Sequence, residues 1–496
     1  MKRFSFFSFV ALFCCSTVVF AYAPKSLIRI DGLNPTEIKK YSDKGYDIAD
    51  AGRDFAEIVV STKEKSMLKK DGRKISTIIP DLDAYVSRRL GEQKAGATYF
   101  TYETMSSTLK EWAEKYSKIA RLSSIGKSCE NREIWAMKVS DNPDQDEKEP
   151  AVLVVGAHHS REWISIEVPM QALKEYLEGF EKDERITKLV NEREVWFVPM
   201  LNPDGVTYSQ NKQRYWRKNR RNIDGRNFGV DLNRNYSYKW GMTGASNSPS
   251  SDVYHGTKAF SEPETTALKE LAEKEKFQAS VSFHSYSELV LFPFGYDYNV
   301  PTPDNPTLSK LAQEMSEFNK YTPENSAELY PVMGDSDDYL YGTFKTLAFT
   351  IELAREFIPP PAEIATVNKL NVPAVIHLID KAAAYAVNTP SGEESVARNL
   401  DIDSAVDALV LGEKILPEYS GDAKMKVSDK LEITSNRLAE LVAAEILSGK
   451  MVSWDKIKKS ESLADVRKMV KDRIIFTSVH GQLVAPEILL EMQRLR

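Results

Sequence analysis

Two adjacent histidines and a glutamate stand in GAHHSREWIS, residues 156–165, directly after the apolar run AVLVV. Imidazole and carboxylate are zinc donors, and a catalytic zinc takes about three protein ligands while leaving a position for water or substrate. Residues three or four apart on a helix or tight turn face the same way, so Glu162 can share an ion with a histidine just upstream. His159 lies three positions before it and His158 four, and spacing alone leaves both open. The chain has 6 histidines, so a third imidazole would come from His255, His284, His377 or His480.

Four further stretches carry groups that could act beside such a metal: the arginine run WRKNRRN (216–222), GVDLNRNY (229–236), the acidic loop ELYPVMGDSDDYLYG (328–342) and AFTIELAR (348–355). A guanidinium is a planar fork that holds a carboxylate through two parallel hydrogen bonds, and an Asn amide adds a donor. A carboxylate beside a water that a cation has acidified can take its proton.

These segments and SFHSYS (282–287), spread over about 290 residues, resemble the zinc carboxypeptidases, the metallocarboxypeptidases of A/B type. GAHHSREW is similar to that family's metal motif, which makes His159 and Glu162 the first two ligands and His158 a variable neighbour whose replacement should leave zinc affinity nearly intact. His284 in SFHSYS is then the third ligand, and Tyr286 contacts substrate upstream of the scissile bond. The resemblance also implies that Arg161 helps bind substrate and that Asn233 and Arg234 clamp its terminal carboxylate. Arg220 would donate to the scissile carbonyl oxygen as it becomes an oxyanion. Glu352 would be the general base and then the acid. Tyr330 matches a mobile tyrosine that closes over substrate, and Asp337, seven residues on, matches the base of the side-chain pocket. There the resemblance links an aspartate with Lys or Arg substrates. A substrate cation about 4 Å from that carboxylate gains on the order of 4 kcal/mol at an effective dielectric near 20, before desolvation is subtracted. Asp335 stands where animal enzymes of B type carry glycine, and the loop looks more like bacterial secreted members with B-like or mixed specificity. Lys and Arg ends are therefore expected to be preferred, with bulky apolar ends also accepted in a pocket lined by Leu291, Gly295 and Thr350. One Zn2+ per catalytic domain is the implied cofactor, although two nitrogens and a carboxylate would also bind cobalt or nickel.

The elements that must position these groups follow from periodicity. From Tyr99 to about Ala386, apolar strands alternate with helical stretches, an α/β pattern. The resemblance makes this a central mixed eight-stranded sheet flanked by helices, a catalytic domain over 99–388. Residues 24–95 read as a small α+β unit of strand, helix, strand, helix, strand, compatible with a ferredoxin-like module and placed like the family's prosegment. RRLGEQKAGA (88–97) reads as an exposed basic linker open to proteolysis. Residues 392–496 read as a helical extension, with Leu438, Leu441, Val442 and Ile446 on one face. Lys2, Arg3 and the apolar run that follows read as an export signal over 1–21, hence a secreted or periplasmic protein. Removing it leaves Cys129 alone, with no internal disulfide possible.

Composition excludes other classes. A net charge of -6 with no dense basic tract argues against nucleic acid, and after the signal no run is apolar enough to span a membrane. The expected partners are peptides with a free C-terminus. A muropeptide amidase or endopeptidase would have an altered clamp and pocket, and an inactive peptide-binding relative would lack a ligand or the base; all are present here.

Overall fold

The computed structural model describes residues 24–70, 72–91, 98–241 and 243–384, together with the backbone of 424–428 and 431–434. The signal over 1–21, residues 92–97 of the linker and most of the expected helical extension lie outside the described residues.

The N-terminal unit runs β1 (Ser26–Asp31), α1 (Pro35–Asp43), β2 (Asp47–Ala51), β3 (Phe55–Val60), α2 (Thr62–Lys70), β4 (Ile75–Ile79) and α3 (Leu82–Gly91). α1 begins at a capping box: the Asn34 side chain accepts from the Glu37 N–H, and Glu37 returns the bond to Asn34. The sheet order is β2-β3-β1-β4, antiparallel throughout. Sequence reading misses β2, because DIADA lacks a clear strand pattern and is a strand by virtue of its pairing with β3. Side chains alternate across the sheet. Ile28, Ile30, Ala56, Ile58 and Val60 join Leu33, Ile38 and Leu68 in the unit's own core, whereas Leu27, Ala49 and Val59 join the main core. The linker expectation needs correction at its start. Arg88 and Arg89 form the last turn of α3, whose Leu82 and Val86 are buried on one face, and Arg89 pairs with Glu356 at 2.8 Å.

The main domain comprises α4 (Tyr102–Lys115), β5 (Ala120–Lys127), β6 (Glu133–Val139), β7 (Ala151–Gly156), α5 (Ile164–Gly179), α6 (Glu184–Val190), β8 (Glu194–Val198), α7 (Pro203–Asn211), α8 (Pro263–Glu275), β9 (Ala279–His284), β10 (Leu289–Phe292), α9 (Asn305–Asn319), β11 (Thr322–Asn325), α10 (Ser326–Leu329), α11 (Ser336–Phe344), β12 (Leu347–Glu352) and α12 (Ile364–Lys381). Its sheet has 8 strands in the order β11-β10-β12-β9-β7-β8-β6-β5 and is mixed. β8, β7, β9 and β12 are mutually parallel, β5 and β6 run antiparallel to their neighbours, and β10 is antiparallel to β12 but parallel to β11. β7, β8 and β9 are buried along their whole length, which is why AVLVVG and the VWFV of β8 read as nearly unbroken apolar runs. α12 packs on both α5 and α9, all three lie on the sheet, and α4 and α8 pack against β5.

Parallel strands deliver their carboxyl ends to one edge, where α/β sheets bind ligands. Register fixes the rest: Gly156 of β7 lies opposite Phe283 of β9, and His284 lies opposite Glu352 of β12. The turn after β7 and the last residues of β9 and β12 therefore meet. A Cβ on Gly156 would lie 2.4 Å from the Ser165 carbonyl oxygen and 2.5 Å from that of Pro199, so only glycine lets the chain turn here.

Beyond the main domain, β13 (Lys424–Ser428) pairs antiparallel with β14 (Leu431–Thr434). This stretch of the extension is a strand pair where helix was expected; Met425, Val427, Leu431 and Ile433 alternate with charged or hydroxyl residues at period two.

Candidate active site

His159, Glu162 and His284 meet at that edge, all three buried, with one donor atom of each within 4.8 Å of the others. His159 Nδ1 is 2.8 Å from Glu162 Oε1, and His284 Nδ1 is 3.1 Å from Glu162 Oε2 and 3.1 Å from His159 Nδ1. Two ring nitrogens and a carboxylate converging on one point fit a divalent cation of the zinc type. Burial opposes the charge on Glu162, but His159 and His284 hold its carboxyl well below the usual range.

Asp231 supplies the outer support. Its Oδ1 lies 3.2 Å from His159 Nε2, which leaves Nδ1 facing the cluster, and its Oδ2 accepts from Arg217 Nε at 2.9 Å. Sequence reading missed both Asp231 and Arg217. The signal for Asp231 was a carboxylate between two core residues, Val230 and Leu232. For Arg217 the expectation needs correction. WRKNRRN offers several arginines, and Arg220, expected at the oxyanion, instead lies over the Tyr208 ring at 3.7 Å with Glu130 at 3.9 Å. Ser160 donates its N–H to the Arg217 carbonyl oxygen, so this stretch runs beside the metal turn at Arg217, and the Arg217 guanidinium lies 3.8 Å from Glu162. His158 points elsewhere, toward Tyr236 and Ser282.

Glu352 ends β12 opposite His284. Burial and the charge of Glu162 push its carboxyl well above the usual range, opposed by Arg217. Two residues back on the same face of β12, Thr350 donates to Asp337 Oδ2 at 2.7 Å. Asp335 accepts from the Asp338 N–H to cap α11 through Oδ1, while its buried Oδ2 has no partner among the described residues. Burial and then Asp335 push the Asp337 carboxyl up to about 7. Leu291 pairs with Thr350 across the sheet, and Gly295 donates its N–H to Asp338. Asn233 and Arg234 sit in a short 3-10 turn held by Asp231; Asn233 Oδ1 accepts from the Ser336 N–H, and Arg234 donates to the carbonyls of Gly244 and Asn233. One connected frame thus carries both expected clamp residues and the pocket helix.

The N-terminal unit lies over this edge. Asp47 takes the Arg161 guanidinium in a two-point ion pair at 2.5 and 2.8 Å, with Arg161 stacked 4.0 Å over Phe357. Glu57 accepts from the Tyr286 hydroxyl at 2.6 Å and Asp50 from Ser287 at 2.8 Å. Tyr330 is half-buried and packs against the unit's own apolar core, near Arg234 and Arg217.

The zinc carboxypeptidase family model matches residues 105–374. A zinc carboxypeptidase of Saccharothrix mutabilis subsp. capreolus is 29% identical over 381 residues, covering 71% of this chain and 87% of that protein. Zinc carboxypeptidase A 1 of Anopheles gambiae is 33% identical over 302 residues, covering 58% of this chain and 68% of that protein. The crystal structure of carboxypeptidase A from Helicoverpa armigera superposes with a TM-score of 0.67 at 23% identity over 74% of this chain and 99% of its own, a likeness of fold. The chain belongs to the zinc carboxypeptidase family and is a metallocarboxypeptidase, a hydrolase of peptides with a free C-terminus.

Proposed function

We propose that this carboxypeptidase is exported, removes Lys and Arg from peptide C-termini while also accepting bulky apolar ends, and is held inactive by its N-terminal unit until the connection between the two is cut. The observation that carries the specificity is the buried Asp337 at Thr350, with Asp335 beside it, next to a frame that holds Asn233 and Arg234. A muropeptide amidase would have no use for that clamp. Inhibition is supported by Asp47, Asp50 and Glu57, which take up Arg161, Ser287 and Tyr286. Among the described residues no helix is long and apolar enough to cross a membrane.

His159, Glu162 and His284 would hold the zinc, which supplies Lewis-acid polarisation of the scissile carbonyl and a better water nucleophile at neutral pH. The chain's own residues do the rest. Asn233, Arg234 and Tyr330 fix the terminal carboxylate, and Arg161 and Tyr286 hold the peptide upstream. Arg217 donates to the carbonyl oxygen as it gains charge, already aimed by Asp231. Glu352 takes a proton from the attacking water and gives it to the leaving amine, a role that its raised carboxyl pKa suits.

A panel of peptides differing only in the C-terminal residue, each with an amidated twin, tests this with and without chelator and before and after limited trypsin. Turnover of free Arg and Lys ends that chelator abolishes and trypsin increases is expected. Equal turnover of amidated peptides would sink the exopeptidase reading, and equal activity before and after trypsin would sink the inhibitory role. Glu352→Gln should retain zinc and lose turnover.

A further inference from the structure

His158 is completely buried beside the metal donors yet gives neither ring nitrogen to them. Its Nε2 lies 2.8 Å from the Tyr236 hydroxyl and its Nδ1 3.2 Å from the Ser282 hydroxyl. Each hydroxyl can donate or accept, so both bonds are satisfied in either tautomer of a neutral imidazole. So pinned, the ring stacks on His284 with centroids 5.4 Å apart and planes at 20°. The two expected histidine ligands differ in how they are held. Ligating histidines usually fix their orientation by donating the second ring N–H to a carboxylate, carbonyl or water. His159 has Asp231 for this, but His284 Nε2 is buried without a hydrogen-bond partner among the described residues. The His158 face is what lies against it.

Tyr236 extends the contact to the pocket. Also completely buried, it donates its N–H to the Gly334 carbonyl at 3.0 Å, and its ring lies 5.6 Å from that of Tyr339 on α11. Gly334 has a φ of 77° and precedes Asp335; a Cβ there would lie 2.8 Å from the Arg234 carbonyl oxygen. The pocket loop is thus pressed onto the clamp by a position that only glycine fills, and Tyr236 fastens that corner to His158.

We infer that His158 and Tyr236 are a positioning pair: they set the plane of the His284 ring and tie the metal donors to the loop that carries the clamp and the pocket. This rests on the reading of His159, Glu162 and His284 as the metal donors. It runs against the expectation that replacing His158 leaves zinc affinity nearly intact, since a residue that donates nothing to the ion can still govern how well the ion is kept.

The test uses the full zinc-loaded chain after trypsin, with Tyr236→Phe, which deletes one oxygen, His158→Phe, which keeps a flat ring but no polar atoms, and their double variant. Each single variant should release zinc to a chelator about tenfold faster, the low end for loss of an outer-shell partner. The double variant should be no faster than the faster single, because both break one contact. kcat should fall for peptides ending in Arg and in Phe alike, with KM within about twofold, the pattern of lost positioning rather than lost binding. Unchanged release in both single variants, or rates that multiply in the double, would overturn the pair. His284→Ala serves as the control: zinc held as tightly as in the parent would overturn the ligand reading itself, whereas rapid loss there with unchanged release in both single variants would overturn only the brace.

Discussion

On the proposed reading Asp337 forms the floor of the side-chain pocket, and burial together with Asp335 raises its carboxyl to about 7. The sign follows directly: below that pH the pocket floor is neutral and above it anionic. The ratio of kcat/KM for an Arg end over a Phe end should therefore rise between pH 6 and 8, and Asp337→Asn should flatten the rise. A ratio independent of pH in the parent enzyme would remove Asp337 from the pocket. The two arginines make a second contrast. Arg217→Ala should cost about 100- to 1000-fold in kcat, as for loss of an oxyanion donor. Arg220→Ala should keep most activity and lose about 1 kcal/mol of stability with its aromatic contact, measured by urea unfolding. That His159, Glu162 and His284 come together, with Glu352 beside His284, was legible because their types and segments are distinctive. Arg217 was not, since which arginine in WRKNRRN faces the metal depends on a backbone bond to Ser160, a contact between segments far apart in the chain. Asp231 was unread for a related reason: its role is to hold His159, and nothing in GVDLNRNY names that partner.

At the scale of elements, strand register does the positioning. His284 and Glu352 are neighbours because β9 and β12 run parallel in one register, and a slip by one residue would turn one of them to the opposite face. Gly156→Ala tests the end of β7. Its methyl would meet two backbone carbonyls, neither of which can rotate away, so a loss of about 1–3 kcal/mol is expected, with weaker zinc retention because the metal turn must shift. Urea unfolding and chelator titration read both effects. Most of the alternating pattern of the main domain was visible as apolar runs separated by helical stretches. β2 was not, since the charges that hide its strand pattern are Asp47 and Asp50, which bind the other unit. The end of α3 was hidden for the opposite reason, since the basic residues that suggest a linker also suit the last turn of a helix.

For the whole molecule, the seam between the units holds carboxylates that titrate near neutrality. Burial pushes Asp50 up to about 6, with Glu57 adding to it; burial pushes Glu324 up to about 7, with Glu328 and Asp50 adding. The Ser287 hydroxyl and, more weakly, Arg29 oppose the first shift, and Arg53 opposes the second. A carboxyl raised in the docked state favours docking while protonated, and that preference fades as pH climbs from the free value near 4 through 6 to 7. The activity of the uncleaved chain, divided by that of the cleaved chain at each pH, should therefore grow between pH 5 and 8. Asp50→Asn should weaken that growth, and a flat ratio in the parent would discard the effect.

Strands β1 to β3 of the N-terminal unit bury side chains on both faces: Ile28, Ile30 and Ile58 join its own core, whereas Leu27, Ala49 and Val59 join that of the main domain, and Tyr330 is borrowed to complete the unit's core. Once severed and set adrift, such a unit would present a greasy face to water and miss one of its own packing partners, so it would be prone to digestion before it could rebind. Cutting the chain would then work as a ratchet rather than a latch.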